Sequence, residues 1–193
     1  MTPRPSNTQR QQQLIEAASR LVHQQGFAET TLAAIAGQAQ MPSGSIYYYF
    51  RNKDDVVRAI VEQRVRELEE RLHGFEQLAS AGAMIEAVIN IWQEDSEIDA
   101  RYGCPIGSLC YELAKQGGEK QQLASQPLRI LLQWCEARFV EMGHQDRAAD
   151  LALHLLAALQ GISLIANALS DPDLIRREND QLRAWLADLE SDY

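Results

Sequence analysis

Cysteine is scarce in this sequence: only Cys104, Cys110 and Cys135 occur. An odd, widely spaced set builds no disulfide framework, so reduced thiols and a cytoplasmic location are expected. No apolar run approaches the roughly 20 residues that a membrane-spanning helix needs. The polar opening MTPRPSNTQRQQQ lacks the apolar stretch of a secretory signal, and no membrane partner is expected. Gly-rich phosphate loops, HExxH, CxxC and Gly-x-Ser-x-Gly are all missing. The four histidines are too scattered for metal-ligand spacing. The expectation is a protein without metal, cofactor or enzymatic activity. The acidic run EDSEID sets Asp95, Glu97 and Asp99 at alternate positions, but a calcium loop would need glycine and glutamate where Ala100 and Ile106 stand; the run reads as a solvated helix end.

Strand-period alternation is absent too, and apolar residues recur at helical spacing almost throughout. Composition is ordinary for a globular chain, with 46% hydrophobic and 23% charged residues, so disorder is not expected. Leu14, Ala18, Leu21 and Val22 mark a first helix, ended by Gly26-Phe27 in the manner of a C-cap glycine and its hydrophobic contact. Thr30 and Thr31 stand where a second helix needs an N-cap, ahead of Leu32, Ile35 and Ala36. Met41-Pro42 interrupts it, and a very short third helix is expected from about Ser43 to Phe50. A long helix follows Arg51-Asn52, then stretches at about 81–95, from near Gly103, and at about 120–142, 146–169 and 173–190. The fold class is therefore all-α, with about nine helices.

Charge is unevenly placed. Residues 1–53 hold five basic side chains (Arg4, Arg10, Arg20, Arg51, Lys53) against Glu16 and Glu29, a net +3, while the remainder carries −12 of the overall −9. A basic head on an acidic body suits a protein that sets one end against phosphates.

Two short helices joined by a tight turn after a longer one make a helix-turn-helix unit. Within SGSIYYYF, Ile46, Tyr49 and Phe50 share one face at i, i+3, i+4 spacing and can pack on the first two helices. Tyr47 and Tyr48 then point outward beside Ser43, Gly44 and Ser45. Outward phenols can donate to phosphate oxygens, and Gly44 permits close backbone approach. Thr31 and Lys53 can clamp the backbone of a double-stranded DNA operator on either side.

The segment TTLAAIAGQAQMPSGSIYYYFRNKDDVV resembles the DNA-binding segment of TetR-family transcriptional regulators. It has the threonine pair, an Ile-Ala, a short turn, a Gly-x-Ile/Leu-Tyr-x-Tyr/His-Phe helix and a following x-x-Lys. The resemblance implies that Ser43, Gly44 and Ser45 face bases while Thr31, Tyr47, Tyr48 and Lys53 hold phosphates. It departs at Ser43, where many relatives carry lysine. It also implies a division of labour, with a DNA-binding head over 1–54 and an effector-binding and dimerisation body over 55–193. The last two helices of such a body pair with their mates in a second subunit. DLALHLLAALQGISLIANAL is apolar on more than one face, more than a helix with one solvated side needs. The expected homodimer interface is Leu155, Leu159, Gly161, Ile162, Leu182, Trp185 and Leu189.

An unknown small-molecule effector is expected in the body, with Trp92, Cys104, Tyr111, Trp134 and His154 as candidate contacts. Gly103, Pro105 and Gly107 mark a helix start with Cys104 at its N-terminus, where the helix dipole favours a thiolate. A Gly-Cys here also resembles the subgroup that includes sensors of electrophiles. Cys104 thus stands either as a packing residue or as a reactive sensor. The leading expectation is a repressor released from a palindromic operator by its effector. A helical enzyme with Cys104 as nucleophile and a non-DNA adaptor with a vestigial head are the competing classes.

Overall fold

A computed structural model describes residues 6–191. Among these, ten α-helices and two 3-10 turns form an all-α architecture. α1 is Asn7–Gln25 and α2 Leu32–Gln38; a 3-10 turn covers Ser43–Tyr48, and α3 is Lys53–Phe75. α4 is Ala81–Glu94, α5 Ser96–Tyr102, α6 Pro105–Ala114 and α7 Gly118–Ala124. α8 is Gln126–Glu141; after a second 3-10 turn, Gln145–Arg147, come α9 at Ala148–Leu169 and α10 at Asp173–Ser191.

The breaks have local causes. Ser6 caps α1 reciprocally: its Oγ accepts from Gln9 N–H at 3.2 Å and its own N–H donates to Gln9 Oε1 at 2.7 Å, a capping box. Gly26 ends the helix at φ 85°, a conformation glycine adopts without Cβ cost. The threonine pair divides its work. Thr31 Oγ1 takes the Ala34 N–H at 3.1 Å as the N-cap of α2, whereas Thr30 is buried and donates to Gly26 O at 2.7 Å. The stretch read as one helix over 120–142 is two, because Pro127 falls in the first turn of α8 and can only begin a helix there.

By packing, the chain falls into two units that do not follow the functional division expected at residue 54. The first comprises the chain up to Glu67 together with Ser108–Ala124; the second comprises Leu68–Gly107 and the residues from Ser125 on. The first has its own core of Leu14, Ala18, Ile35, Ile46, Phe50, Val57, Ile60, Leu109 and Leu113. The first turns of α3 complete this core through Val56, Val57, Ile60 and Val61. The second unit packs α4, α5, α8, α9 and α10 around Ile85, Ile89, Leu131, Phe139, Leu155, Leu159 and Ile175.

Gln145–Leu169 is long and apolar enough, by length and composition, to cross a membrane. That corrects the reading that no run approaches this length, although Leu151, Leu155, Leu156 and Leu159 within it are buried in the second unit's core.

Candidate DNA-binding surface and the sites of the body

Pro42 and the left-handed Gln40 (φ 57°) stop α2 and swing the chain into the 3-10 turn. Ile46 and Phe50 are buried there and Tyr49 is half-buried, so three side chains anchor the stub. Tyr47 and Tyr48 stand 62% and 75% exposed. Ser43 and Gly44 are exposed, and a Cβ on Gly44 would meet nothing within 4 Å. Asn7 braces the phenols from α1: its Nδ2 donates to Tyr48 OH at 3.2 Å and its Oδ1 accepts from Tyr49 OH at 3.1 Å. Ser45 Oγ donates to Pro42 O at 2.7 Å, so its hydroxyl has only acceptor capacity left for anything outside.

Lys53 sits differently from the free phosphate clamp that the sequence suggests. Its Nζ donates to the carbonyls of Phe27 and Ala28 at 2.7 and 2.9 Å and lies 4.4 Å from the centre of the Phe27 ring. The amides of the same two residues are held by a carboxylate that sequence reasoning missed. Glu112 on α6 accepts from Phe27 N–H at 2.8 Å and Ala28 N–H at 2.6 Å. The α1–α2 turn is thus gripped by a cation on its carbonyls and an anion on its amides. Lys120 on α7 adds an ion pair to Asp54 at 2.7 Å. No spacing rule links residue 112 to residue 27, so nothing in the sequence signalled this clamp.

The residues expected at an effector site are distributed over both units. Trp92 and Cys104 are buried in the second unit's core and Trp134 packs against it. His154 is exposed, with its ring 5.0 Å from Trp185. Tyr111 is 70% exposed in the other unit, with Lys115 Nζ 4.3 Å from its ring centre.

Cys104 does receive the Gly107 N–H at 3.5 Å, together with Gln160 Nε2 at 3.5 Å. Even so, burial pushes its thiol up, and the neighbouring Asp99 charge pushes it further. The activated thiolate suggested by the helix start is therefore reversed, because desolvation outweighs the N–H donors. Cys135 is likewise pushed up by burial, to about 12.

The acidic run also departs from its reading as a solvated end. It opens α5, where Asp95 and Glu97 are exposed but Ser96, Asp99 and Ala100 turn inward. Their i, i+3, i+4 spacing was the available signal.

Of the residues expected at a dimer interface, Leu155, Leu159, Leu182 and Leu189 are buried in their own chain's core. Gly161, Ile162 and Trp185 are half-buried. The open side of α9 carries Leu153, Leu164, Ile165 and Leu169 instead, and a Cβ on Gly161 would meet nothing within 4 Å.

Comparison with known proteins agrees with this architecture. Residues 14–60 match the sequence model of the family described as bacterial regulatory proteins, tetR family. The probable HTH-type transcriptional regulator ArpR of Pseudomonas putida is 34% identical over 46% of this chain and 43% of its own. The HTH-type transcriptional regulator HbdR of Aromatoleum sp. (strain CIB) is 33% identical over 55% of this chain and 45% of its own. The chain thus spans about half the length of the curated relatives it matches. A TetR-family transcriptional regulator from Agrobacterium tumefaciens, solved by crystallography, superposes with a TM-score of 0.82 at 20% identity over 93% of this chain and 98% of its own. With the head matched in sequence and nearly the whole chain matched in backbone, this protein is similar to TetR-family transcriptional regulators and has their fold.

Proposed function

We propose that the protein is a homodimeric, effector-responsive transcriptional regulator, a cytoplasmic repressor of a palindromic operator. The observation that supports this best is the stub at 43–48: Ile46 and the adjoining Phe50 lock it down while Tyr47 and Tyr48 face outward. Ser43, Gly44 and Ser45 meet base edges in the major groove; Tyr47 and Tyr48 donate to phosphates, and the exposed N-terminus of α2 at Thr31 adds a backbone contact. Lys53 uses two of its ammonium donors on Phe27 O and Ala28 O, which leaves one for a phosphate oxygen.

A palindrome needs two heads about one helical turn apart, roughly 34–36 Å. The second copy docks on the open side of α9, through Leu153, Leu164 and Leu169, with Gly161 allowing close approach. In this reading the head over 1–54 meets DNA, and the body over 55–193 reads the effector and holds the pair. The effector releases DNA by binding the DNA-incompetent arrangement more tightly; an effector with equal affinity for both would shift nothing.

A sensor reading through Cys104 has the Gly107 N–H in its favour, but the raised thiol pKa weighs against it. Selection of purified protein against a random duplex pool, followed by a salt titration, tests the main proposal. A palindromic consensus bound with an affinity that falls steeply with salt is expected. Recovery of no consensus, or salt-insensitive binding, overturns it.

A further inference from the structure

Asp99, on α5, is 3% exposed, and its two oxygens are treated unequally. Oδ2 accepts from Ser163 Oγ on α9 at 3.1 Å, while Oδ1 has no hydrogen-bond partner. A carboxylate offers about four acceptor positions, and a buried one left half-satisfied is costly. No described cation compensates it. Arg101 stacks over Tyr102 at 5.0 Å, and Arg176 pairs with Glu97 and Asp173. Asp95, in the preceding turn, adds negative charge.

The surroundings are one-sided in the same sense. Ser163 already spends its own hydroxyl proton on Asp99, with Leu159 O within 3.1 Å as well. Gln160 Nε2 is turned to the Cys104 sulfur, and Gln160 Oε1 lies only 2.1 Å from where a Cβ at Gly107 would stand. Asn167 Nδ2, another α9 donor at this seam, is given to Ala100 O at 3.3 Å, so the described donors there are committed elsewhere and the free oxygen receives none. Ala100 and Leu159 belong to the adjoining apolar core, and Ile106 and Ile162 pack against it, so the neighbourhood of the carboxylate is apolar.

We propose that this seam takes a small organic cation, an aliphatic primary ammonium whose N–H donates to Asp99 Oδ1 and whose stem lies along Ile106 and Ile162. The inference rests on the effector-responsive reading above and names the chemical class of that effector. A charge-assisted hydrogen bond supplies what the carboxylate lacks, and a neutral hydroxyl of the same length supplies only half of it. Carboxylate ligands are repelled.

The test uses the full chain at pH 7.5 with n-alkylamines of two to eight carbons, each matched by the alcohol and the carboxylate of equal length. Thermal shift and calorimetry should show an amine binding at least tenfold tighter than its alcohol and no response to the carboxylate. Asp99→Asn should abolish that preference while retaining operator binding. The wild-type preference decides the matter by itself if the variant does not fold. The proposal is overturned by alcohols that match the amines, by a response to none of the probes, or by an Asp99→Asn protein that keeps the preference. Operator binding is scored separately: its presence without an amine response sinks this inference alone, and its absence sinks the regulator reading whatever the amines do.

Discussion

The stub at 43–48 and the open side of α9 both leave large side chains in solvent, but chemically they are opposites. Tyr47 and Tyr48 expose rings tipped with hydroxyls, whereas Leu153, Leu164 and Leu169 expose hydrocarbon alone. A phenol face can rest in water or against a polar, charged partner at little cost. An aliphatic stripe gains only by meeting another apolar surface. One molecule thus presents two surfaces suited to two kinds of partner. The first fits a sugar–phosphate backbone, the second a like copy.

The largest effects should come from removing what fixes each surface rather than the surface itself. Phe50→Ala and Leu159→Ala each empty a buried site and should cost about 3–5 and 2–5 kcal/mol respectively in denaturant unfolding. By contrast Leu164→Glu, on a side chain 70% exposed, should leave monomer stability within about 0.5 kcal/mol and convert a dimer to monomer in sedimentation. If Leu164→Glu unfolds the protein while Leu159→Ala does not, the two faces of α9 have been interchanged.

Asp99 gives an effect of intermediate size with a definite pH signature. Burial raises its pKa from 3.8 to about 6, partly opposed by the Ser163 hydrogen bond and aided by Asp95. The folded chain therefore holds this proton more tightly than the unfolded chain. Its contribution is fully present below pH 4 and is lost as pH rises through about 6, a swing of about 3 kcal/mol. Asp99→Asn should flatten stability between pH 4 and 6 and be the more stable protein at pH 7.5. Equal pH profiles for the two proteins would contradict that.

The smallest predicted effect is backbone. Ser170 ends α9 at φ 54°, and Ser170→Gly should stabilise by about 0.5–1 kcal/mol by removing the Cβ penalty of a left-handed cap.

Much of the head was legible because its signals are local. Gly26, Thr31 and Pro42 each act within one turn of chain, and the i, i+3, i+4 pattern of Ile46, Tyr49 and Phe50 separates inside from outside within eight residues. α9 offers no such contrast. Nearly every position from Leu151 to Leu169 is apolar or small, so periodicity cannot say which leucines face the core, and Leu155 and Leu159, expected at the dimer interface, lie inside their own chain. Asp99 is hard to place from sequence for the opposite reason. Its acidic neighbours masked an inward face that only the packing of α5 on α9 makes plain. The Glu112 clamp lies beyond any local rule, since it joins residues 84 and 85 positions apart. Composition and spacing report on turns, and tertiary packing decides faces.

The central claim is that Tyr47 and Tyr48 serve DNA rather than the fold. Fluorescence anisotropy of the Tyr47→Phe/Tyr48→Phe protein on a selected operator tests it most directly. Losing two charge-assisted phenol–phosphate bonds should weaken binding by about 100-fold or more, while the exposed Asn7–Tyr48 bond lost with them should lower stability by no more than about 1 kcal/mol. Undiminished affinity, or a fall in affinity that only tracks lost stability, would contradict the account.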